Sequence, residues 1–136
     1  MKNQVTSIGQ SKRLIELGVP AEKASMVWHR MFRDKKTGYT EWALKIGPIQ
    51  KFPQLEVLQI IPAFTVADLM GLLPSVIFIA IRFNPTLEKT GEDGWDFEFG
   101  QISQDEEYGF ARNKSLIDLL VGRIEWVMSN GYKLNI

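Results

Sequence analysis

The side chains best suited to chemistry in this sequence are bases and aromatic rings that interleave within residues 26–46. The candidate set consists of Trp28, Arg30, Arg33, Lys35, Lys36, Tyr39 and Trp42. Proteins that bind single-stranded nucleic acid use this combination, because cations neutralise phosphates and rings stack on bases. The pattern therefore predicts a candidate nucleic-acid interface. The interpretation that we favour from sequence is different: the rings face inward as core, and the charges surround a solvated turn.

Two other groups of side chains could carry out acid–base chemistry. His29 is the single histidine, and its ordinary pKa of about 6.5 suits a general base, but no recognisable nucleophile lies near it in sequence. Carboxylates are dense between residues 88 and 107, yet their spacing does not match a calcium-binding loop. A hydrolase-like carboxylate pair would need a separation that sequence cannot test. We expect a surface histidine and a solvated acidic face, with no catalytic residue, metal site or cofactor.

Composition limits the class of protein. The chain has 136 residues, 45% hydrophobic and 24% charged, which predicts one globular domain over residues 1–136. The absence of cysteine excludes disulfides, thiol nucleophiles and thiolate zinc sites. The formal net charge is zero, but residues 1–51 carry ten Lys/Arg against four Asp/Glu. Such a split suits an anionic partner or self-association. The N-terminus lacks the features of a secretory signal, so we expect a cytoplasmic protein.

The elements that must position the candidate residues begin with a helix over residues 7–18. Ser7 and Gln10 have capping-box spacing, and Gly18 suits a helix end. Pro20 suits the start of a second, short helix. Residues 26–46 then predict a β-hairpin around a polar turn. Its even-numbered face would hold Trp28, Phe32, Trp42, Leu44 and Ile46. The competing interpretation extends the second helix through residues 28–31. Prolines make residues 47–62 a connection or an edge element.

The second half of the sequence predicts a helix at 65–73, a second hairpin and a final helix. Thr65 and Asp68 match a capping box. An apolar run at 76–83 and an alternating run at 95–99 would pair as a hairpin spanning residues 76–100. Apolar residues then recur at helical spacing over 113–130, with Asn113 as the expected N-cap and Gly131 as the expected C-cap.

Residues 60–81 are apolar enough to require a test for a membrane span. Their length would cross a bilayer core. However, Pro62 and Pro74 bracket a capped short helix, and Asp68 lies near the centre, where a carboxylate costs about 3 kcal/mol on insertion. We therefore expect a buried helix and strand, and no membrane partner.

Several phrases of the sequence resemble a family. They are SIGQSKRLIELGVPAEKASM, IPAFTVADLMGLLP, the strand WDFEF and the helix end IEWVMSNGY. Together they resemble small uncharacterised proteins encoded by gut anaerobes, often in prophage or mobile-element regions. The resemblance spans most of the chain, but its motifs are caps, helix ends and core positions. It implies a bacterial cytoplasmic or phage-encoded origin, and it transfers no catalytic residue.

The predicted fold is α+β. An antiparallel sheet from two β-hairpins packs against three helices, in the order helix, hairpin, helix, hairpin, helix. The leading functional hypothesis is a non-enzymatic accessory or protein-interaction domain of phage or mobile-element type, with an unknown protein partner or a second copy of itself. The first alternative is nucleic-acid binding through residues 26–46. The second is a small hydrolase or ligand-binding protein.

Overall fold

The computed structural model describes residues 4–74 and 115–136, and between them the backbone of residues 77–78, 82–89, 95–101 and 107–113. The chain forms two compact units, Met1–Asp68 and Leu69–Ile136. Antiparallel sheets and three helices give an α+β fold, which confirms the predicted class. A single domain over residues 1–136 stays a prediction. In the described residues, no helix has the length and apolar character that crossing a membrane requires.

The first helix, α1, spans Ile8–Glu16 and is capped as the sequence predicts. Ser7 Oγ accepts a hydrogen bond from the Gln10 N–H at 3.1 Å, and Gln10 Oε1 accepts one from the Ser7 N–H at 2.9 Å. At the other end, Gly18 has φ +100°, a left-handed conformation that costs glycine little. The short helix expected after Pro20 is a single 3-10 turn, Ala21–Lys23.

The first sheet confirms the hairpin predicted over residues 26–46 and excludes the helical alternative. Its strands are β1 (Met26–Asp34), β2 (Gly38–Tyr39), β3 (Ala43–Ile46) and β4 (Leu58–Ala63). Strand β1 lies centrally: Met26 pairs with Ile46 of β3 and with Ala63 of β4, both antiparallel. The proline-containing stretch after β3 includes a 3-10 turn, Ile49–Lys51, and then β4, in which Pro62 pairs with Val27.

One apolar cluster of this unit lies where the N-terminal segment meets the sheet. Its buried members are Val5, Met26, Trp28 and Ala63, and four partly buried residues pack on them: Ile8, Trp42, Leu44 and Ile61. The even-numbered face is therefore correct for Trp28, Trp42 and Leu44. Phe32 and Ile46 lie on the same face by register, but both are exposed, because the apolar cluster does not extend to either of them. The expectation that the rings face inward is therefore wrong for Phe32.

Helix α2 spans Val66–Leu72, and its N-terminus confirms the predicted capping box. Thr65 Oγ1 accepts from the Asp68 N–H at 3.1 Å, and Asp68 Oδ2 accepts from the Thr65 N–H at 2.9 Å. The same carboxylate oxygen accepts from the Ser25 N–H at 2.8 Å. Asp68 therefore links the helix start to the residue that precedes β1. This use of the carboxylate explains an acidic residue in an apolar stretch.

In the second unit, the described backbone forms four strands and the last helix. The strands β5 (Ile77–Phe78), β6 (Arg82–Lys89), β7 (Trp95–Gln101) and β8 (Glu107–Asn113) follow one another antiparallel. The hairpin predicted over residues 76–100 is described only in part, as the backbone of residues 77–78, 82–89 and 95–100. Strands β6 and β7 pair from Phe83–Gln101 to Lys89–Trp95. The order helix, hairpin, helix, hairpin, helix stays a prediction.

Helix α3 spans Leu116–Ser129 and begins two residues later than the sequence suggests. Ser115, and not Asn113, is the N-cap: its Oγ accepts from the Asp118 N–H at 3.2 Å. The expected Asn113 cap is wrong because Asn113 is still paired with Trp95 in the sheet. The C-terminal prediction is correct, since Gly131 has φ +78°. The buried stripe consists of Ile117, Leu119, Leu120, Val121, Ile124 and Val127.

Candidate nucleic-acid interface

Arg30 lies between two aromatic rings on one face of the first sheet. Its guanidinium carbon is 4.3 Å from the centroid of the Tyr39 ring and 4.4 Å from that of the Trp42 ring. Gln59 fixes the same side chain, because its Oε1 accepts a hydrogen bond from Arg30 Nε at 2.7 Å. Gln59 Nε2 in turn lies 3.3 Å from the Tyr39 hydroxyl oxygen, to which it donates. Contacts with Tyr39, Trp42 and Gln59 therefore fix the orientation of the Arg30 guanidinium.

Strand register explains this arrangement. Side chains two apart on a strand share a face, so Arg30 lies between Trp28 and Phe32 on β1. Arg30 pairs with Gln59 of β4, and Phe32 pairs with Tyr39 of β2. We call the resulting surface the aromatic–arginine face. It consists of Arg30, Phe32, Tyr39, Trp42 and Gln59.

The aromatic–arginine face includes two exposed rings. Phe32 is 38% exposed and Tyr39 41% exposed, and their centroids lie 5.3 Å apart, edge to face. Such a pair adds about 0.5–1.5 kcal/mol beyond the burial of its area. Trp42 is half-buried. Open ring surface next to a fixed cation is therefore available to a ligand on this face.

Trp28 does not belong to this surface, although the pattern of bases and rings in residues 26–46 predicts that it does. The Trp28 side chain is 7% exposed, and its Nε1 donates to the Thr6 carbonyl at 2.9 Å. A ring held in the core cannot stack on a base. The N-terminal segment that covers Trp28 carries no sequence signal of its own for this role, so alternation alone could not distinguish Trp28 from Phe32.

The turn beyond the face presents the remaining candidate bases. Arg33, Lys35 and Lys36 are all exposed, and within the described residues none of them forms an ion pair. Asp34 lies among them, but its Oδ1 accepts from the backbone N–H groups of Thr37 and Lys36 at 2.7 and 2.8 Å. The bonds from Thr37, followed by the one from Lys36, lower the pKa of Asp34. Asp34 therefore organises the turn.

Two residues of the site were missed by sequence reasoning. Lys12 of α1 and Gln59 of β4 line one pocket together with Arg30, Trp42, Ile60 and Ile61. Lys12 is one of two exposed bases in its helix, and Gln59 is an uncharged residue near a proline. Neither has a distinctive local pattern. Only the pairing of β1 with β4 shows that Gln59 is opposite Arg30.

His29 lies on the opposite face of β1 from Arg30, between Ala43 and Ile60. It is half-buried, so the expectation of a surface histidine is only partly correct. Its Nε2 is buried, and no described atom forms a hydrogen bond with it. Burial, and then repulsion from Lys45, lower its pKa. The acidic stretch at 88–107 lies outside the residues whose side chains are described, and the described residues contain no cluster of metal ligands.

Comparisons with known proteins identify no relative of this chain. No protein-family model matches the chain, and no curated protein sequence or solved structure matches it. Membership in the prophage-associated family therefore stays a prediction.

Proposed function

We propose that this chain is a binding domain that holds single-stranded nucleic acid on its aromatic–arginine face. The observation that carries the proposal is the position of Arg30, which lies over Tyr39 and Trp42 and is fixed by Gln59. A fixed cation among partly open rings offers a phosphate contact and stacking surfaces within one small area. Stacking a base on an aromatic side chain contributes about 1–3 kcal/mol and tolerates any sequence.

Charge on the first unit supports an anionic ligand over a neutral one. The exposed bases of the turn adjoin the exposed Phe32 and Tyr39 rings, and no described carboxylate pairs with those bases. Cations near a binding surface raise the local concentration of an anionic ligand and make binding depend on salt. A protein partner recognised through apolar contacts alone would not need this row of unpaired bases.

The biological setting that accompanies this proposal comes from the sequence. We propose an accessory role of phage or mobile-element type. The resemblance implies a bacterial cytoplasmic or phage-encoded origin. We also propose the order helix, hairpin, helix, hairpin, helix for residues 1–136. Support for this order comes from the first hairpin and from helices α1 to α3.

The experiment that tests the function is binding of a fluorescein-labelled oligothymidylate, followed by polarisation at about 50 and 200 mM salt. Phe32→Ala removes an exposed ring of the face. Met31→Ala is the matched control, because Met31 is 46% exposed and adjacent on the strand but points to the other side. We expect salt-dependent binding that weakens by about 1–3 kcal/mol in the Phe32 variant only.

Two results would contradict the proposal. In one, oligothymidylate does not bind at the lower salt concentration, which would favour the hypothesis of a protein-interaction domain instead. In the other, both variants bind as tightly as the unaltered protein, which would place any nucleic-acid contact away from this face.

A further inference from the structure

A pocket of about 350 Å³ lies between helix α1 and the first sheet. Its volume is at the lower end of the range for small-molecule sites, which starts near 300 Å³. Lys12 lines it from α1, while Arg30, Trp42, Gln59 and Ile61 line it from the sheet. None of its described lining residues is acidic. The pocket therefore combines two cations, one amide and apolar walls.

The Arg30 guanidinium is already oriented for a ligand. Its Nε donates a hydrogen bond to Gln59 Oε1 at 2.7 Å. The adjacent Tyr39 and Trp42 rings restrict the movement of the guanidinium group. Among the described residues, nothing accepts a hydrogen bond from its Nη atoms. Two neighbouring N–H donors in a fixed plane match a phosphate group, and a side chain ordered in advance loses little entropy on binding.

Lys12 supplies a second, independent cation to the same pocket. The residue is exposed, and it forms no ion pair in residues 4–74 or 115–136. The ion pair of α1 is made by its neighbour, Arg13, with Glu16 at 3.6 Å. Lys12 is therefore free to interact with an anion.

We infer that this pocket binds one phosphate group, held by the Lys12 ammonium and the Nη donors of Arg30, with Trp42 beside the attached nucleoside. The inference rests on the proposed function, because it assigns the phosphate to a nucleic-acid backbone. It places the strand so that it enters the groove below α1 and continues over Tyr39 and Phe32 towards the basic turn.

The test compares Lys12→Gln with Lys23→Gln, a control that removes the same charge from an exposed position in the 3-10 turn. Binding of labelled oligothymidylate is measured over a range of salt concentrations. The logarithm of the binding constant falls as the logarithm of the salt concentration rises, and each phosphate contact on a single strand adds about 0.7 to the steepness of that fall. Lys12→Gln should make the slope shallower by about 0.7, and Lys23→Gln should leave the slope unchanged. Arg30→Lys should keep the slope and weaken binding several-fold, because the ammonium lacks the planar pair of donors.

A titration with inorganic phosphate, followed by the NMR signal of Arg30 Nε–H, separates the two possible failures. Oligothymidylate binding with an unchanged slope in Lys12→Gln would overturn the phosphate pocket and leave the proposed function standing. A saturable response to inorganic phosphate without oligothymidylate binding would support the pocket and overturn the function. No response to either probe would overturn both.

Discussion

The indole Nε1 of Trp28 donates a hydrogen bond to the backbone carbonyl of Thr6 at 2.9 Å. This contact fastens the N-terminal segment over the sheet. The Thr6 side chain extends the attachment, since its Oγ1 accepts from the Phe64 N–H at 3.0 Å and lies 2.7 Å from Ser11 Oγ. The segment therefore closes the core over Trp28 and leaves the face from Arg30 to Phe32 open.

The accessibility of the tryptophan side chains to a quencher should differ between the covered core and the open face. Trp28 is buried and Trp42 is half-buried, so acrylamide should reach Trp42 more readily. We expect Trp42→Phe to lower the overall Stern–Volmer slope of the folded protein, and Trp28→Phe to leave it equal or higher. The reverse order would mean that the N-terminal segment does not cover Trp28.

Loss of the Thr65 hydroxyl should destabilise the protein by about 1 kcal/mol, because Thr65 Oγ1 caps α2 by accepting from the Asp68 N–H. The variant is Thr65→Val, and urea unfolding gives its free energy. Thr65→Ser is the control, since it keeps the acceptor. Equal stability of the two variants would show that the hydroxyl makes no capping contribution.

Truncation of Ile124 should cost about 2–5 kcal/mol of unfolding free energy, because its side chain is fully buried on α3 and Ile124→Ala leaves a cavity. Ser129→Ala, at an exposed position of the same helix, should change the stability by less than about 0.5 kcal/mol. If the two variants unfold at the same urea concentration, the stripe on α3 does not pack in a core.

Stability should fall as the pH drops below about 6.5, the ordinary pKa of histidine. Burial and Lys45 lower the pKa of His29 in the folded protein, so the unfolded chain binds the proton more tightly. The contribution of His29 is complete above the unfolded pKa and is lost as the pH falls through the folded pKa. Urea unfolding from pH 7.5 to 5 should show this slope, and His29→Gln should flatten it. An unchanged slope in the variant would assign the dependence to other groups.

Local signals predicted the helix ends and the first hairpin well. The two capping boxes, Ser7 with Gln10 and Thr65 with Asp68, form as their spacing indicates, because a cap depends only on residues within one turn. The turn at 34–38 is also set by residues close in sequence, since Asp34 accepts hydrogen bonds from the backbone of Lys36 and Thr37. The expected cap of α3 is wrong because the extent of β8 is decided by its pairing with β7, which keeps Asn113 in the sheet.

The candidate site was only partly predictable. Its bases and rings are local to residues 26–46, so composition and alternation identify them. The contributions of Lys12 and Gln59 depend on packing between elements distant in sequence, and no periodicity reports such packing. The burial of Trp28 also depends on packing between distant elements, because Thr6, in the segment that covers its ring, is 22 residues away in the chain.

The most direct test of nucleic-acid binding on the aromatic–arginine face is an NMR titration of ¹⁵N-labelled protein with oligothymidylate, following the indole N–H signals. The chain has four tryptophans, and the Trp28→Phe and Trp42→Phe variants assign the two signals of interest. We predict that the Trp42 signal shifts and saturates with added oligothymidylate while the Trp28 signal stays in place. Binding that leaves the Trp42 signal unmoved, or no binding at low salt, would contradict the proposed function.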